Sequence, residues 1–445
     1  MKLAEYFPFY KRSLHLALPV VISQIGQVSV MLVDNMMVGH VGTTELAASA
    51  FANNVFMVGM FFGMGITFGL TPLTGNSFGN GKINEVVIWL KNGIFTHLAA
   101  GFGLNLIMAG IYFLLPYLGQ TPDVVKLAKP YFLLLCLSYL PFMLFFSLKQ
   151  FFEGTGNTKI AMHITISANI INVVFNYLLI FGKFGFPEMG LNGAGAGTLI
   201  SRVAMPLMFF IYIIKTPVFK GYFVQAHQQL FDRQKIIRLL KIGIPIAFQI
   251  TIEGIAFSIG AIMMGWLGEV QLAAHQVAIG LASFTYMVSL GISQANTIRV
   301  SHQMGVKDYK ALKMAAFAST HLVLVFMSIM GIVFVIARNL LPFLFTDDTE
   351  VIKIAAGLLI IAAIFQVFDG LQVVMLSTLR GMADVKLPMF IAFFAYLALG
   401  IPASYLLAFQ IGLGPQGIWY GYLVGLGAAG ILFWLRFQHN LKKKA

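Results

Sequence analysis

The stretch MMVGHVGTTELAA at residues 36–48 recurs without a gap as IMMGWLGEVQLAA at residues 262–274. Six of the thirteen aligned residues are identical, and the offset between the two stretches is 226 positions. Pro19 and Pro245 are separated by the same 226 positions. Matches that keep one order and one offset predict that the chain consists of two related halves.

A second match joins EGTGNTKIAM (153–162) to RGMADVKLPM (380–389) at an offset of 227. Between the halves lies the longest polar and basic stretch, residues 215–239. We therefore predict an N-terminal six-helix lobe over 1–214, a cytoplasmic linker loop over 215–239, and a C-terminal six-helix lobe over 240–445.

Long apolar segments make up both halves. Only 10% of the residues are charged, against about 25% in soluble domains. Polar or Gly/Pro stretches divide the chain into twelve segments, each near the roughly 20 residues that a spanning helix needs. We predict an all-α polytopic membrane protein, with two pseudo-symmetric six-helix bundles around a central cavity. Six spans separate equivalent helices, so both halves start on the same side, an arrangement that transporters use.

The charge distribution gives an orientation. If the N-terminus is cytoplasmic, 23 of the 29 Lys and Arg residues fall on the cytoplasmic side. Basic residues collect on that side of membrane proteins. We therefore expect a multi-pass protein of the bacterial inner membrane with both termini in the cytoplasm. The excess of basic residues on the cytoplasmic side of the lipid bilayer also accounts for the net charge of +13 without a nucleic-acid partner.

Three carboxylates fall inside predicted spans: Asp34, Glu253 and Asp369. In IIAAIFQVFDGLQVVMLS (360–377), Asp369 is the one charged residue. An acid at such a depth costs about 2.5 to 3.5 kcal/mol on insertion scales. The structural alternative is a buried pair with Arg202, which cannot neutralise three acids. We predict that these carboxylates are cation-coupling sites.

A polar cluster is also expected in the first lobe. Asn172 and Asn176 are four residues apart and share a helix face. With Asp34 and Thr198 they form a second candidate coupling site, although hydrogen bonds between helices would also explain the two amides. Gln27 lies two turns before Asp34 and is a candidate for lining the substrate cavity.

Three motifs indicate a family. They are MLVDNMMVGHVG (31–42), PIAFQITIEGIAF (245–257) and VFDGLQVVMLSTLRG (367–381), accompanied by EGTGNTK from residue 153. The chain resembles the multidrug and toxic compound extrusion (MATE) transporters, specifically the NorM-like branch. The resemblance implies a monomer without a cofactor that exports cationic, amphipathic small molecules in exchange for Na⁺ or H⁺.

The resemblance also implies site residues. In NorM-like members the coupling ion is attributed to second-lobe acids, which match Glu253 and Asp369. In other members it is attributed to a first-lobe cluster, where an archaeal-type aspartate is replaced by Asn176 here. One turn before Asp369 the NorM-like pattern has a tyrosine, and this chain has Phe365, a second candidate for the substrate cavity. The sequence is compatible with Na⁺ or H⁺ as the coupling ion, and with binding of that ion in either lobe.

Three other functions compete with transport by exchange as interpretations of the sequence. A lipid-linked precursor flippase of the same superfamily is disfavoured, because Arg202 is the one clear intramembrane cation and such a substrate is anionic. An intramembrane enzyme would need a His, Ser or metal constellation that the sequence does not show. A passive channel would not need two lobes whose intramembrane acids lie at different positions. We therefore expect no catalytic residues and no metal beyond Na⁺ at the coupling acids.

Overall fold

The computed structural model describes residues 3–228 and 231–444. All regular secondary structure in that part of the chain is helical. Twelve of its helical segments are long and apolar enough to cross a membrane. This confirms the predicted all-α polytopic membrane protein. Met1, Lys2 and Ala445, on which the predicted location of the termini falls, lie outside the described residues.

The first half contains six spans and one further helix. They are α1 (Phe7–Gly39), α2 (Thr43–Thr67) continued by α3 (Leu70–Gly79), α4 (Ile83–Leu114), α5 (Pro122–Gly154), α6 (Thr158–Phe181), α7 (Leu191–Lys215) and the shorter α8 (Pro217–Gln228).

The second half contains the other six spans. They are α9 (Arg233–Leu267), α10 (Glu269–Val306), α11 (Tyr309–Ile336), α12 (Thr349–Gly381), a rod over Lys386–Gln410, and α15 (Pro415–Lys442). The rod alternates α13 (Lys386–Ala392), a π-helical stretch Phe393–Gly400, α14 (Ile401–Tyr405) and a second π-helical stretch Leu406–Gln410.

The backbone repeats with the offsets that the sequence predicts. The first residues of α5 and α12 are 227 positions apart, and so are their last residues. Left-handed backbone follows α3 at Gly81 (φ 69°) and α10 at Lys307 (φ 59°), 226 positions apart. It recurs at Gly156 (φ 84°) and Ala383 (φ 58°), 227 positions apart. Since non-glycine residues rarely adopt this conformation, its retention at equivalent turns confirms the two pseudo-symmetric halves.

The predicted linker 215–239 is largely helical rather than a loop. Helix α8 begins at Pro217, whose ring suits the first turn of a helix. Phe219 of α8 packs on Phe152 with ring centroids 4.6 Å apart, which explains why this stretch folds back onto the bundle. The prediction for residues 229 and 230 falls outside the described part.

The chain forms two compact units by its internal contacts. The N-terminal unit is Ile22–Ala247, and the C-terminal unit combines Met1–Val21 with Phe248–Ala445. Both boundaries cut through a helix, α1 or α9, two residues after Pro19 or Pro245. These boundaries differ from the predicted lobes in the placement of the first parts of α1 and α9, and the division at the linker stays a prediction.

Close packing in the C-terminal unit depends on Gly417 of α15. A Cβ atom there would lie 2.5 Å from the backbone nitrogen of Ala408. We expect Gly417→Ala to lower the free energy of unfolding by about 1–3 kcal/mol, the usual cost of overpacking. Gly110→Ala is the control, because a Cβ at Gly110 meets nothing within 4 Å.

This prediction is measured by heating the detergent-solubilised protein with a dye that fluoresces on reaction with thiols. Cys136 is the one cysteine of the chain and is buried, so it reports unfolding. Equal melting temperatures for the two variants would show that the α15 contact tolerates a methyl group.

Candidate cation site

Glu253 on α9 and Asp369 on α12 share a hydrogen-bond donor. The side-chain nitrogen of Gln372 donates to Glu253 Oε1 at 3.2 Å and to Asp369 Oδ1 at 3.2 Å. Tyr396 Oη donates to Gln372 Oε1 at 3.0 Å. The structure therefore brings the two predicted second-lobe acids together. We call these four residues the C-terminal acid site.

The local structure explains how this site is assembled. Gln372 follows Asp369 by three residues on α12, so both side chains leave the same helix face. Asp369 is 5% exposed and Gln372 is fully buried. Tyr396 lies in the π-helical stretch Phe393–Gly400, and π-helical turns are frequent at functional sites. The spacing of Gln372 from Asp369 is a sequence signal that our prediction missed, whereas nothing in the sequence indicates Tyr396.

The site gathers negative charge without a direct ion pair. Within residues 3–228 and 231–444, neither carboxylate lies within 4.0 Å of a Lys or Arg nitrogen. Arg380 donates to Gln249 Oε1 at 3.1 Å, one helical turn before Glu253, and its charge also acts on the Glu253 carboxylate. One arginine cannot neutralise two acids. Two neighbouring carboxylates disfavour each other's charged form, and so does burial. The arrangement can therefore take up a proton or a small cation.

A small pocket opens beside Glu253. Its lining includes Glu253, Phe257, Tyr396 and Tyr422, and it has room for about one water molecule. The pocket walls are apolar, since Tyr396 Oη donates to Gln372 Oε1 at 3.0 Å and Tyr422 Oη donates to the Phe257 carbonyl at 3.3 Å. The candidate ligands for a proton or Na⁺ are therefore the two carboxylates and not the pocket walls.

Phe365 belongs to an aromatic cluster near this pocket. Its ring centroid lies 5.3 Å from that of Trp419 and 6.3 Å from that of Phe257. The side chain is 2% exposed, so in this arrangement it packs and supplies no ion ligand. Its role in a substrate cavity stays a prediction.

The N-terminal unit contains the second predicted cluster. Asn176 Nδ2 on α6 donates to Asp34 Oδ1 on α1 at 2.6 Å. With its amide nitrogen turned toward the carboxylate, Asn172 donates to the same oxygen at 2.9 Å. Asn176 Oδ1 is buried and has no partner among the described residues. A Cβ at Gly197 would overlap that oxygen, so the close approach of α7 requires glycine there.

Two predicted members stand apart from this cluster. Thr198 follows Gly197 and is half-buried, as is Gln27. In the described part of the chain neither side chain is hydrogen-bonded to Asp34, Asn172 or Asn176. Three of the four predicted first-lobe residues therefore come together, and the roles of Thr198 and Gln27 stay predictions.

Arg202 is held by aromatic and neutral groups. Its Nη1 donates to Ser138 Oγ at 2.8 Å, and the guanidinium lies 5.0 Å from the ring of Phe142 and 5.4 Å from that of Phe56. Aromatic faces attract cations of this kind. No acid in the described ranges lies within ion-pair distance of it. The structural alternative for the buried acids, a direct pair with Arg202, is not what the structure shows.

We expect Tyr396→Phe to raise the ion concentration needed for half-maximal transport by about three- to tenfold. The substitution removes the hydroxyl that orients the Gln372 amide, and a hydrogen bond of this kind contributes about 0.5–1.5 kcal/mol. Tyr405→Phe, on the same rod with a 44% exposed side chain, is the control. An unchanged ion dependence in Tyr396→Phe would remove Tyr396 from the site.

The sequence matches the MatE family over residues 19–178 and 245–406, one stretch in each half. The chain belongs to the MATE family. It is 32% identical to "Probable multidrug resistance protein NorM" of Agrobacterium fabrum, over 99% of this chain and 96% of that protein. It is 35% identical to the protein of that name from Rhodopseudomonas palustris, over 97% of this chain and 92% of the relative. This confirms the NorM-like branch.

A solved structure shows the same fold. The Vibrio cholerae MATE transporter VcmN in its bent form superimposes with a TM-score of 0.88, over 99% of each chain at 20% identity. The family match and the NorM relatives make this chain a multi-pass membrane protein from a family of transporters, not of enzymes. Within its described residues there is no group of three or more His, Cys, Asp or Glu side chains placed to hold a metal ion.

Proposed function

We propose that this protein is a secondary active multidrug efflux antiporter. It exports cationic, amphipathic small molecules in exchange for Na⁺ or H⁺ and works as a monomer in the bacterial inner membrane. The relatives named as multidrug resistance proteins support the substrate class. The 23 basic residues that one orientation places on the cytoplasmic side support cytoplasmic termini.

The observation that carries the proposal is the amide of Gln372 between Glu253 and Asp369. The amide nitrogen stabilises negative charge on both acids but cannot neutralise it. A proton, a sodium ion or an organic cation can do so. The C-terminal acid site is thus suited to bind one cation at a time, which is what exchange requires.

The proposed cycle follows from this competition. Open to the outside, the protein takes up Na⁺ or H⁺ at the acids, and the affinity for a positively charged substrate falls. The substrate leaves, the protein opens to the inside, and the ion is released into the cytoplasm. The acids then attract the next substrate. A ligand shifts such an equilibrium only through its different affinities for the two states.

Efflux of ethidium from proteoliposomes tests the proposal. A sodium gradient and a pH gradient are imposed separately on the wild-type protein. We expect one of them to drive efflux against the ethidium gradient. Ethidium movement that merely follows its own gradient, with neither ion required, would contradict exchange and favour a passive channel.

A further inference from the structure

Helix α10 carries a line of buried polar atoms without partners. Ser289 Oγ, Ser293 Oγ and Asn296 Oδ1 are buried and unbonded within the described part of the chain. Their spacing of four and three residues places them on one face of α10. Each unsatisfied buried polar group costs about 1–3 kcal/mol. Three in a row on one face therefore need a common explanation.

This face of α10 packs against α12. Thr285 Oγ1 bonds Gln366 Oε1 at 2.9 Å, and Asn296 Nδ2 bonds Ser377 Oγ at 2.9 Å. Both pairs are 81 residues apart, so the two helices run in parallel and in constant register. We call the strip between these two bonds the α10–α12 seam.

Across the seam, α12 offers no polar side chain to the two serines. The register places Gly370 opposite Ser289 and Val374 opposite Ser293. The Val374 carbonyl already accepts bonds from Ser377 Oγ at 2.7 Å and Thr378 Oγ1 at 2.9 Å. Protein groups on α12 therefore leave both hydroxyls unsatisfied.

The neighbouring hydroxyls of α10 behave differently. The Thr285 hydroxyl has two acceptors for its proton, the Ala282 carbonyl at 2.8 Å and Gln366 Oε1 at 2.9 Å. The Thr297 hydroxyl likewise has the Ser377 carbonyl at 3.0 Å and the Ser293 carbonyl at 3.3 Å. Ser289 and Ser293 make no such bond within their helix. Asn296 Oδ1 has no partner in the arrangement in which the amide nitrogen bonds Ser377 Oγ and Thr378 Oγ1. Water is the partner that buried groups of this kind take.

The first half lacks this feature at equivalent positions. At the offset of 226, Ser289 corresponds to Gly63, Ser293 to Thr67 and Asn296 to Leu70. Thr67 donates to the Met64 carbonyl at 2.7 Å, and the other two have no polar side chain. The fold therefore forms without a polar seam, which indicates that the seam serves a function of the second half.

One end of the seam lies beside the C-terminal acid site. The register places Asp369 level with the residue before Ser289. Tyr286 of α10 is close enough to both Glu253 and Asp369 to interact with their charges. At the other end, Arg299 follows Asn296 by one turn and donates to the Phe9 carbonyl at 2.8 Å and to Ser13 Oγ. Arg299 and the first turns of α1 thus close that end.

We propose that the α10–α12 seam holds a file of water molecules that carries the coupling proton from Asp369 toward the cytoplasmic end of α10. Asp369 gives its proton to the adjacent water, and each water accepts one proton and passes another to the next water. The last water releases a proton at the cytoplasmic end of α10, so no charge stays on the serines. The contact of Arg299 with α1 blocks the path, which conducts only when that contact opens. The role in coupling rests on the proposed function, whereas the water file does not.

Cysteine accessibility tests the water file independently of transport. In a Cys136→Ala background, Ser289→Cys and Ser293→Cys are exposed to Ag⁺ in membrane vesicles, and the remaining free thiol is measured over time. The control is Ala295→Cys, at the same depth and fully buried in the apolar core. Thiol reactivity needs access to water, so we expect the seam positions to react about tenfold faster or more. Equal rates at all three positions would overturn the seam.

A transport assay tests the path. Ser293→Val is expected to slow efflux driven by a pH gradient about tenfold, and Ser293→Ala, which keeps space for water, only slightly. Two results would overturn the proton path and still leave the efflux function supported. The first is that only a sodium gradient drives efflux by the wild-type protein, and the second is that Ser293→Val transports at the wild-type rate under a pH gradient. If the valine or cysteine variants do not fold, hydroxyl-radical footprinting of the wild type decides. Labelling at 289–296 then supports the water file, and protection equal to the apolar core overturns it.

Discussion

Asp369→Asn is expected to abolish ion-driven efflux, with a loss of at least about tenfold in rate. The amide keeps the size of the side chain and can still bond Gln372, but it carries no charge, so it cannot take up a proton or neutralise a bound Na⁺. A charge effect of this kind, at a buried position, is among the larger ones that a single substitution produces. The measurement is ethidium efflux from proteoliposomes under the gradient that drives the wild type.

The control for this prediction is Asp123→Asn, an exposed acid in the first turn of α5. Glu253→Gln should behave like Asp369→Asn, and the double variant should lose little more than either one, because residues in one network are not additive. Wild-type efflux in Asp369→Asn would show that the C-terminal acid site does not couple transport.

Asp34→Asn is expected to have a different effect of comparable size. We expect the maximal rate of efflux to fall about tenfold while the ion concentration for half-maximal efflux is unchanged. The carboxylate is bonded by Asn176 and Asn172, and its loss removes the charge that organises this cluster. The ion dependence should not move, because the C-terminal acid site is intact.

Asn35→Ala is the matched control for Asp34→Asn, since Asn35 is the exposed neighbour on the same helix. Ion titrations of both variants separate the two units. A shift of the ion dependence in Asp34→Asn, with none in Asp369→Asn, would place coupling in the N-terminal unit and reverse the proposed assignment.

The repeat and the spanning helices can be predicted from the sequence, because a constant offset and long apolar segments extend over many residues. It also singles out Glu253 and Asp369, since a charge in an apolar span is costly wherever it lies. It does not reveal Gln372 as their shared donor, because a glutamine in a helix is common and its partner on α9 is 119 positions away. Tyr396 depends on a π-helical turn, which no short pattern predicts.

Other differences have a similar physical origin. The polar and basic composition of residues 215–239 predicts a loop, but Phe219 gives α8 an apolar contact that composition does not show. The spacing of Asn172 and Asn176 predicts that they share a face of α6, but not that this face meets Asp34 of α1 and leaves Thr198 unbonded to the cluster. Contacts within one helix follow from spacing, and contacts between helices depend on packing that only the structure supplies.

Competition at the C-terminal acid site is the central claim, and equilibrium binding tests it most directly. Ethidium binding to the purified protein is followed by fluorescence anisotropy while Na⁺ or acid is added at constant ionic strength. We predict that one of the two ions raises the apparent Kd in proportion to its concentration, and that this dependence is lost in Asp369→Asn. An ethidium affinity that neither ion changes in the wild-type protein would contradict exchange at a shared site.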